Sequence, residues 1–329
     1  MKVLVSLAIV GGLFALGLLG ALPGMGWVFG VVIPYAALML FLGGLIYRVA
    51  SWANVPVPFR IPTTCGQQKS LPWIKNQGLE NPHNRLTVIG RMALEVLFFR
   101  SLLRNTRTDL VDKRRLVYST DLWLWLGAIV MHWTFLVILL RHLRLLTSPV
   151  PLCVTFLEKT DGFFEVGVPV VYATSVLFLA GLAYLLLRRL VSPQVRYISL
   201  PADYFSLFLL LGIGLSGICL RHLLKTDVVG VKELAVGLVT FKPTVPDTIS
   251  WLFYGHLFLV SVLLACFPFS KLMHMPGVFL SPTRNLANSN RRVRHVNPWD
   301  YPVKVHPYEE YEDELRDKMK AAGLPVEKE

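Results

Sequence analysis

Six stretches of the chain, residues 3–22, 28–47, 122–140, 166–187, 204–220 and 248–270, contain no Asp, Glu, Lys or Arg. A helix that crosses a bilayer needs ~20 predominantly apolar residues. The pattern therefore predicts an all-α integral membrane protein with six transmembrane helices. Between and beyond these stretches the chain is polar. Within residues 51–120, Arg91 to Arg104 intersperses cations with Leu94, Leu97, Phe98, Leu102 and Leu103. That pattern predicts an amphipathic helix, lying on the membrane surface or packed on a soluble partner. Pro56-Val57-Pro58 and Ile61-Pro62 predict an extended approach to it. Past Pro298 the composition turns acidic and aromatic, with no apolar run able to form a core, so the tail is expected to be ordered mainly by what it binds.

Composition sharpens this reading. Hydrophobic residues make up 54% of the 329 and charged ones 16%, against about 25% charged in soluble domains. The net charge of +12 invites a nucleic-acid reading, but no DNA or RNA motif accompanies it. Cations that flank apolar spans record membrane orientation instead. Residues 51–120 hold 11 Lys or Arg against four acids, 188–202 hold three Arg and no acid, and 276–299 hold four Arg and no acid. The intervening 147–164 and 225–248 show no cationic excess. The alternation predicts cytoplasmic N- and C-termini and a cytoplasmic 51–120 loop. The first span also has signal-peptide flavour around Gly20-Ala21-Leu22-Pro23, but its apolar run exceeds the 7–15 residues of a usual signal core. The expected organisation is an anchor over 1–27, a membrane domain over 28–275 and a partner-binding tail over 276–329.

Candidate chemistry lies in histidines. Of eight, four sit in or at the ends of two apolar helices, His132 and His142 on the third span and His256 and His274 on the sixth. Ionisable groups in hydrocarbon are costly and mark function by default. One such histidine reads as a satisfied hydrogen-bonding group; two pairs on two helices read as ligands. The spans run in opposite directions, so His142 falls level with His256 near the outer face and His132 with His274 near the inner face. Each pair can ligate one haem b through both axial positions, leaving none for oxygen chemistry. Eighteen residues are five helical turns, which places His256 and His274 on one face, whereas ten residues leave His132 and His142 roughly 80° apart. The rises disagree, about 15 Å against about 27 Å, and Pro268 is the residue able to break the sixth helix between its histidines.

Near the outer end, His222 is a candidate proton acceptor for a quinol, or an alternative ligand to His256, with Glu165, Asp161 and Lys159 at the same level. Arg141, Arg144 and Arg221 either neutralise haem propionates or snorkel to the interface. An inner-face quinol site near Lys271 or Arg48 stays open. Gly212, Gly214, Ser216 and Gly217 let a helix or a flat macrocycle approach the fifth span. Cys65, Cys153, Cys219 and Cys266 form no C-x-x-C pair, so neither covalent haem nor a four-cysteine cluster is expected. A haem-free anchor or transporter with proton-relaying histidines is the competing class, distinguished by the absence of visible absorption.

Two histidines ten apart, followed three helices later by two histidines eighteen apart, resemble the gamma (cytochrome b) subunit of respiratory nitrate reductase over about residues 28 to 275. The crossed pairing is the one that family uses, which implies a haem-binding bundle of five helices plus an extra N-terminal helix. Three further segments are similar to the M subunits of DsrMKJOP complexes of sulfur-metabolising prokaryotes: Cys65-Gly66-Gln67-Gln68-Lys69-Ser70-Leu71-Pro72-Trp73, Asn81-Pro82-His83-Asn84-Arg85, and the tail from Asn297 to Glu312. That resemblance implies two haem b groups, menaquinol as substrate and a prokaryotic cytoplasmic-membrane location. It also implies a cytoplasmic iron–sulfur K subunit, J, O and P neighbours, and DsrC as the indirect electron partner. Nitrate, thiosulfate, formate or heterodisulfide complexes are the alternative settings for the same cytochrome.

Overall fold

The computed structural model describes residues 1–55, 69, 71–104, 107–112, 114–163, 171–287 and 305–328. Glu165, Cys65, the Pro56–Pro62 approach and the tail segment from Asn297 to Lys304 lie outside the described residues.

Among the described residues, six helices are long and apolar enough to cross a membrane: Lys2–Ala21, Val28–Ala53, Leu122–Leu146, Ala173–Val191, Pro201–Leu223 and Trp251–Phe269. Their regular α-helical parts are α1 (Lys2–Gly17), α2 (Ile33–Ala53), α4 (Leu122–Leu146), α6 (Ala173–Val191), α8 (Pro201–Ile218) and α10 (Trp251–Cys266). Between and after them come α3 (Arg85–Phe98), α5 (Leu152–Phe163), α7 (Pro193–Ile198), α9 (Val228–Val239), α11 (His274–Leu280), α12 (Pro282–Asn285) and α13 (Tyr308–Ala321).

The chain forms two compact units, one of residues 1–46 and 89–285, the other of 47–88 and 286–329. In the first, α4 and α6 pack closely because Gly127 admits the Tyr184 ring and Gly181 lies against the backbone of Met131. Both ends of this helix pair are fastened by charge. Asp121 caps α4 at Leu124 N and binds Arg188 of α6 at 3.0 Å. At the other end Arg141 of α4 is paired with Asp161 of α5, which also accepts from Thr174 of α6. Helix α1 packs against α8 and α10, with Gly17 on Phe258 and Gly255 on Phe14. Its Ser6 hydroxyl and Lys2 ammonium reach Pro201 O and Ser199 O, each at 3.0 Å. Small residues replace the water-driven effect as the reason membrane helices approach this closely.

Gly181 gives a direct test of that packing. A Cβ there would lie 2.9 Å from Met131 Cβ and 3.2 Å from Met131 N, and overpacking of this kind costs about 1–3 kcal/mol. Gly181→Val is expected to lower the thermal unfolding temperature in detergent, whereas Gly12→Val, with nothing within 4 Å, does not. Equal shifts would contradict the packing.

The structure corrects four expectations. The amphipathic helix starts at Arg85, upstream of the cationic run, because Asn84 accepts from Thr87 N at 2.9 Å and caps it. It ends at Phe99, whose φ of 50° breaks the helix before a 3₁₀ turn over Arg100–Leu103. The fold is not purely α: β1 (Arg107–Val111) and β2 (Arg115–Ser119) form an antiparallel hairpin with Leu110 opposite Leu116 and Thr108 opposite Tyr118. Branched and aromatic residues favour such a ladder, and their shortness hid it within a polar loop. The tail, expected to await a partner, contains α13, with a buried Glu312 carboxylate accepting from Glu327 N and Lys328 N at 2.8 Å.

Lastly, the sixth span does not carry both of its histidines on one helix. Buried Pro268 removes a backbone donor, 3₁₀ turns follow at Phe267–Phe269 and Lys271–Met273, and Ser270 between them is extended. His274 therefore opens α11 beyond the span, and the five-turn argument fails. The break removes the assumption behind the 27 Å rise.

Candidate functional site

Each of the four histidines has its Nδ1 tied to an acceptor. His132 Nδ1 lies 2.8 Å from Ala128 O, His142 Nδ1 2.7 Å from Ile138 O and His274 Nδ1 2.8 Å from Lys271 O. A carbonyl oxygen only accepts, so these nitrogens carry the proton and donate. His256 Nδ1 lies 2.8 Å from Ser216 Oγ, whose own proton is directed to Gly212 O at 2.7 Å. Here too Nδ1–H donates. In all four rings the lone pair is left on Nε2, the tautomer in which a histidine binds metal with its other nitrogen held by an outer partner.

One of the two expected pairs comes together directly. His132 of α4 and His274 at the start of α11 have ring centres 6.0 Å apart, with planes at 83°. Metal–imidazole bonds are about 2.0–2.1 Å, so two rings facing one ion through Nε2, with ~1 Å from each nitrogen to its ring centre, stand roughly 6 Å apart. Gly217 of α8 is so close to His256 that a Cβ would lie 3.3 Å from its Cε1. The donor chemistry and the first pair's spacing fit a bis-imidazole haem.

His274, borne on a broken segment, is steadied from α8. Ser270 Oγ accepts from Leu272 N at 3.2 Å, and the buried Asp203 carboxylate holds Lys271 Nζ at 2.8 Å while accepting from Leu200 N at 2.9 Å. The residue whose carbonyl orients His274 is thus pinned at its side chain.

At the His142 end lies a polar cluster. The guanidinium groups of Arg141 and Arg221 both stack on Tyr172, 4.1 and 4.8 Å from its centre, and Arg221 donates to the Tyr172 hydroxyl. Asp161, 4% exposed at its side chain, is paired with Arg141 and accepts from Thr174 Oγ1 at 2.6 Å. His222 meets the Tyr172 ring edge-on at 5.4 Å. Together with Leu220, Lys225, Thr226 and Val228, the residues Tyr172, Arg221 and His222 line a cavity of about 290 Å³. Next to it Asp227 caps α9; hydrogen bonds from Thr248 Oγ1 at 2.5 Å and from Gly230 N hold its carboxyl below the usual range.

Arg144, expected to snorkel, pairs with Glu158 at 3.0 Å, and Lys159 is exposed. Sequence reasoning missed Tyr172 and the partnership of Ser216 with His256. The second left a usable signal, a hydroxyl inside an apolar helix that needs a buried partner.

The comparisons agree with this architecture. Residues 96–295 match the nitrate reductase gamma subunit family. The chain is 47% identical over 283 residues to an Hdr-like menaquinol oxidoreductase cytochrome b-like subunit of Archaeoglobus fulgidus, covering 84% of each chain. It is 42% identical over 275 residues to the protein of the same description in Archaeoglobus profundus, covering 82% of this chain and 81% of the relative. It is also 33% identical over 130 residues to the respiratory nitrate reductase 1 gamma chain of Escherichia coli, covering 37% of this chain and 56% of that one. With its match over residues 96–295 and six apolar helices among the described residues, the chain belongs to the nitrate reductase gamma subunit family of membrane proteins.

Proposed function

We propose that this chain is a dihaem b subunit of a quinol-linked membrane complex, moving electrons between menaquinol and a cytoplasmic iron–sulfur subunit. The observation that carries the proposal is the common state of the four histidines: Nδ1–H engaged, Nε2 free, and His132 facing His274 at 6.0 Å. His142 with His256 would hold one haem and His132 with His274 the other. Bound there, haem b would supply a one-electron couple suited to electron relay. The 47% and 42% identical relatives, described as menaquinol oxidoreductase cytochrome b-like subunits, support the choice of quinol.

The chain's own groups divide the work around the relay. Tyr172, Arg221 and His222 supply polar groups to the wall of the cavity, with Leu220 and Val228 as its apolar lining. Apolar contact surface with a few placed polar groups suits a quinone ring. His222 is the proton acceptor for the quinol hydroxyl, because its ring borders the cavity. Asp161 does not serve there; its carboxylate is committed to Arg141 and Thr174. Arg141 and Arg221 would balance the negative charge of haem propionates as well as that of Asp161. Glu165, the other candidate acceptor, lies outside the described residues.

The alternation of loop charge supports cytoplasmic termini, with the His132/His274 pair on the cytoplasmic side. The Cys65–Trp73, Asn81–Arg85 and Asn297–Glu312 segments support membership of a DsrMKJOP-type complex in dissimilatory sulfur metabolism, with K as the electron partner, J, O and P as neighbours and DsrC downstream. The description of the archaeal relatives as Hdr-like favours a second setting, a heterodisulfide-type complex. Identification of the co-purifying iron–sulfur subunit decides between them.

The test of quinol chemistry is anaerobic mixing of the purified complex with a menaquinol analogue. His222→Ala is expected to slow haem reduction at least ~10²-fold, the lower range for a lost general base, with reduction by dithionite unchanged. An unaltered rate would place the quinol elsewhere.

A further inference from the structure

We propose that Phe99 is a positioning residue that fixes the plane of the His132 imidazole against that of His274. The proposal rests on the haem-ligation reading above. Phe99 has φ 50° and ψ 46°, a left-handed conformation costly for a bulky aromatic residue. Strain of this kind persists only where the surroundings over-determine it, and it gathers at functional sites.

The surroundings here are explicit. The indole N–H groups of Trp125 and Trp133, both on α4, donate to Phe98 O at 2.7 Å and Leu97 O at 3.0 Å. They dock the end of α3 onto the same helix that bears His132. On the far side of the turn, Glu95 accepts from Ser101 N at 3.0 Å and Ser101 Oγ at 2.6 Å, while Arg284 holds its other oxygen at 2.6 Å. Clamped from both sides, the Phe99 ring stands edge-on to His132, with centres 5.0 Å apart and planes at 83°.

His132 and His274 are themselves crossed at 83°. The hydrogen bond to Ala128 O restrains one nitrogen of His132 but permits a swing about the N–H···O line. The Phe99 edge blocks that swing. In a low-spin haem the angle between axial imidazole planes sets the splitting of the iron d orbitals. Crossed planes give strongly anisotropic electron paramagnetic resonance, and parallel planes reduce the anisotropy. Phe99 thereby tunes one haem of the two.

The experiment compares oxidised wild type, Phe99→Asn, Phe99→Leu and Phe99→Tyr in the full complex. In the Asn and Leu variants the low-field resonance of the His132/His274 haem is expected to move to higher field, or that haem alone to be lost. The His142/His256 signal stays in place and Phe99→Tyr retains the wild-type spectrum. Unchanged spectra in both variants, or loss of both haems together, would overturn the role of Phe99. A wild-type complex without a haem signal assignable to His132 and His274 would instead refute the ligation reading on which it stands.

Discussion

His256→Ala and His142→Ala are each expected to remove the same haem and leave the other, and His132→Ala and His274→Ala to remove the complementary one. The expectation follows from ring geometry. His132 and His274 are 6.0 Å apart although 142 positions separate them in the chain, which leaves His142 and His256 as the complementary pair. Alanine deletes Nε2, so the iron would lose half of its axial field and the low-spin absorption of that haem would disappear. Each variant should therefore retain about half the haem b of the wild type in reduced-minus-oxidised spectra, with the surviving half the same within a pair. Ser216→Ala offers a graded version. It leaves His256 Nδ1–H without its acceptor at 2.8 Å, and loss of such an outer partner lowers metal affinity about 10–100-fold. Members of a proposed pair that abolish different haems would refute the crossed assignment.

Arg141→Met is the second large effect, this time on stability. The Arg141 side chain is 11% exposed and that of Asp161 4%. Removing one partner of a buried pair strands the other charge, at about 3–5 kcal/mol. Thr174 Oγ1 and N still donate to Asp161, so the lower half of that range is expected. The double variant Arg141→Met/Asp161→Asn should recover part of the loss, because a neutral amide no longer needs the cation. Unfolding by denaturant in detergent measures both. A loss below ~1 kcal/mol, the worth of an exposed pair, would mean that the contact is not buried in the folded protein.

The parts of this protein that were legible beforehand are those set by the bilayer. Each of the six uncharged runs overlaps one of the six apolar helices among the described residues, with ends that differ by up to seven residues, because a charge inside hydrocarbon is costly enough to exclude. The four histidines stood out for the same reason. What spacing arithmetic could not reach was tertiary. The five-turn arithmetic needed one continuous helix between His256 and His274, and the break that Pro268 made possible, with the Ser270 turn, delivers His274 from a separate segment. Arg141 read as a snorkelling or propionate-binding group because its partner Asp161 sits on another helix, and no local pattern announces such a pair. The αL turn at Phe99 and the hairpin after it were hidden in a polar loop whose cations suggested one amphipathic helix. In each case, backbone stops and cross-helix partners decided the outcome over periodicity.

Glu95 shows how such a partner changes a titration. Burial alone raises its carboxyl pKa, but hydrogen bonds from Ser101 and the Arg284 guanidinium outweigh it and leave the pKa below the usual value. With the folded pKa below the unfolded one, the clasp contributes fully above the unfolded value, and that contribution is lost as pH falls through the folded value.

The most direct measurement is the pyridine haemochrome of the purified full-length protein, expressed as haem b per polypeptide. Two haem b per chain is the result expected from two crossed imidazole pairs. One haem, or none, would contradict the account.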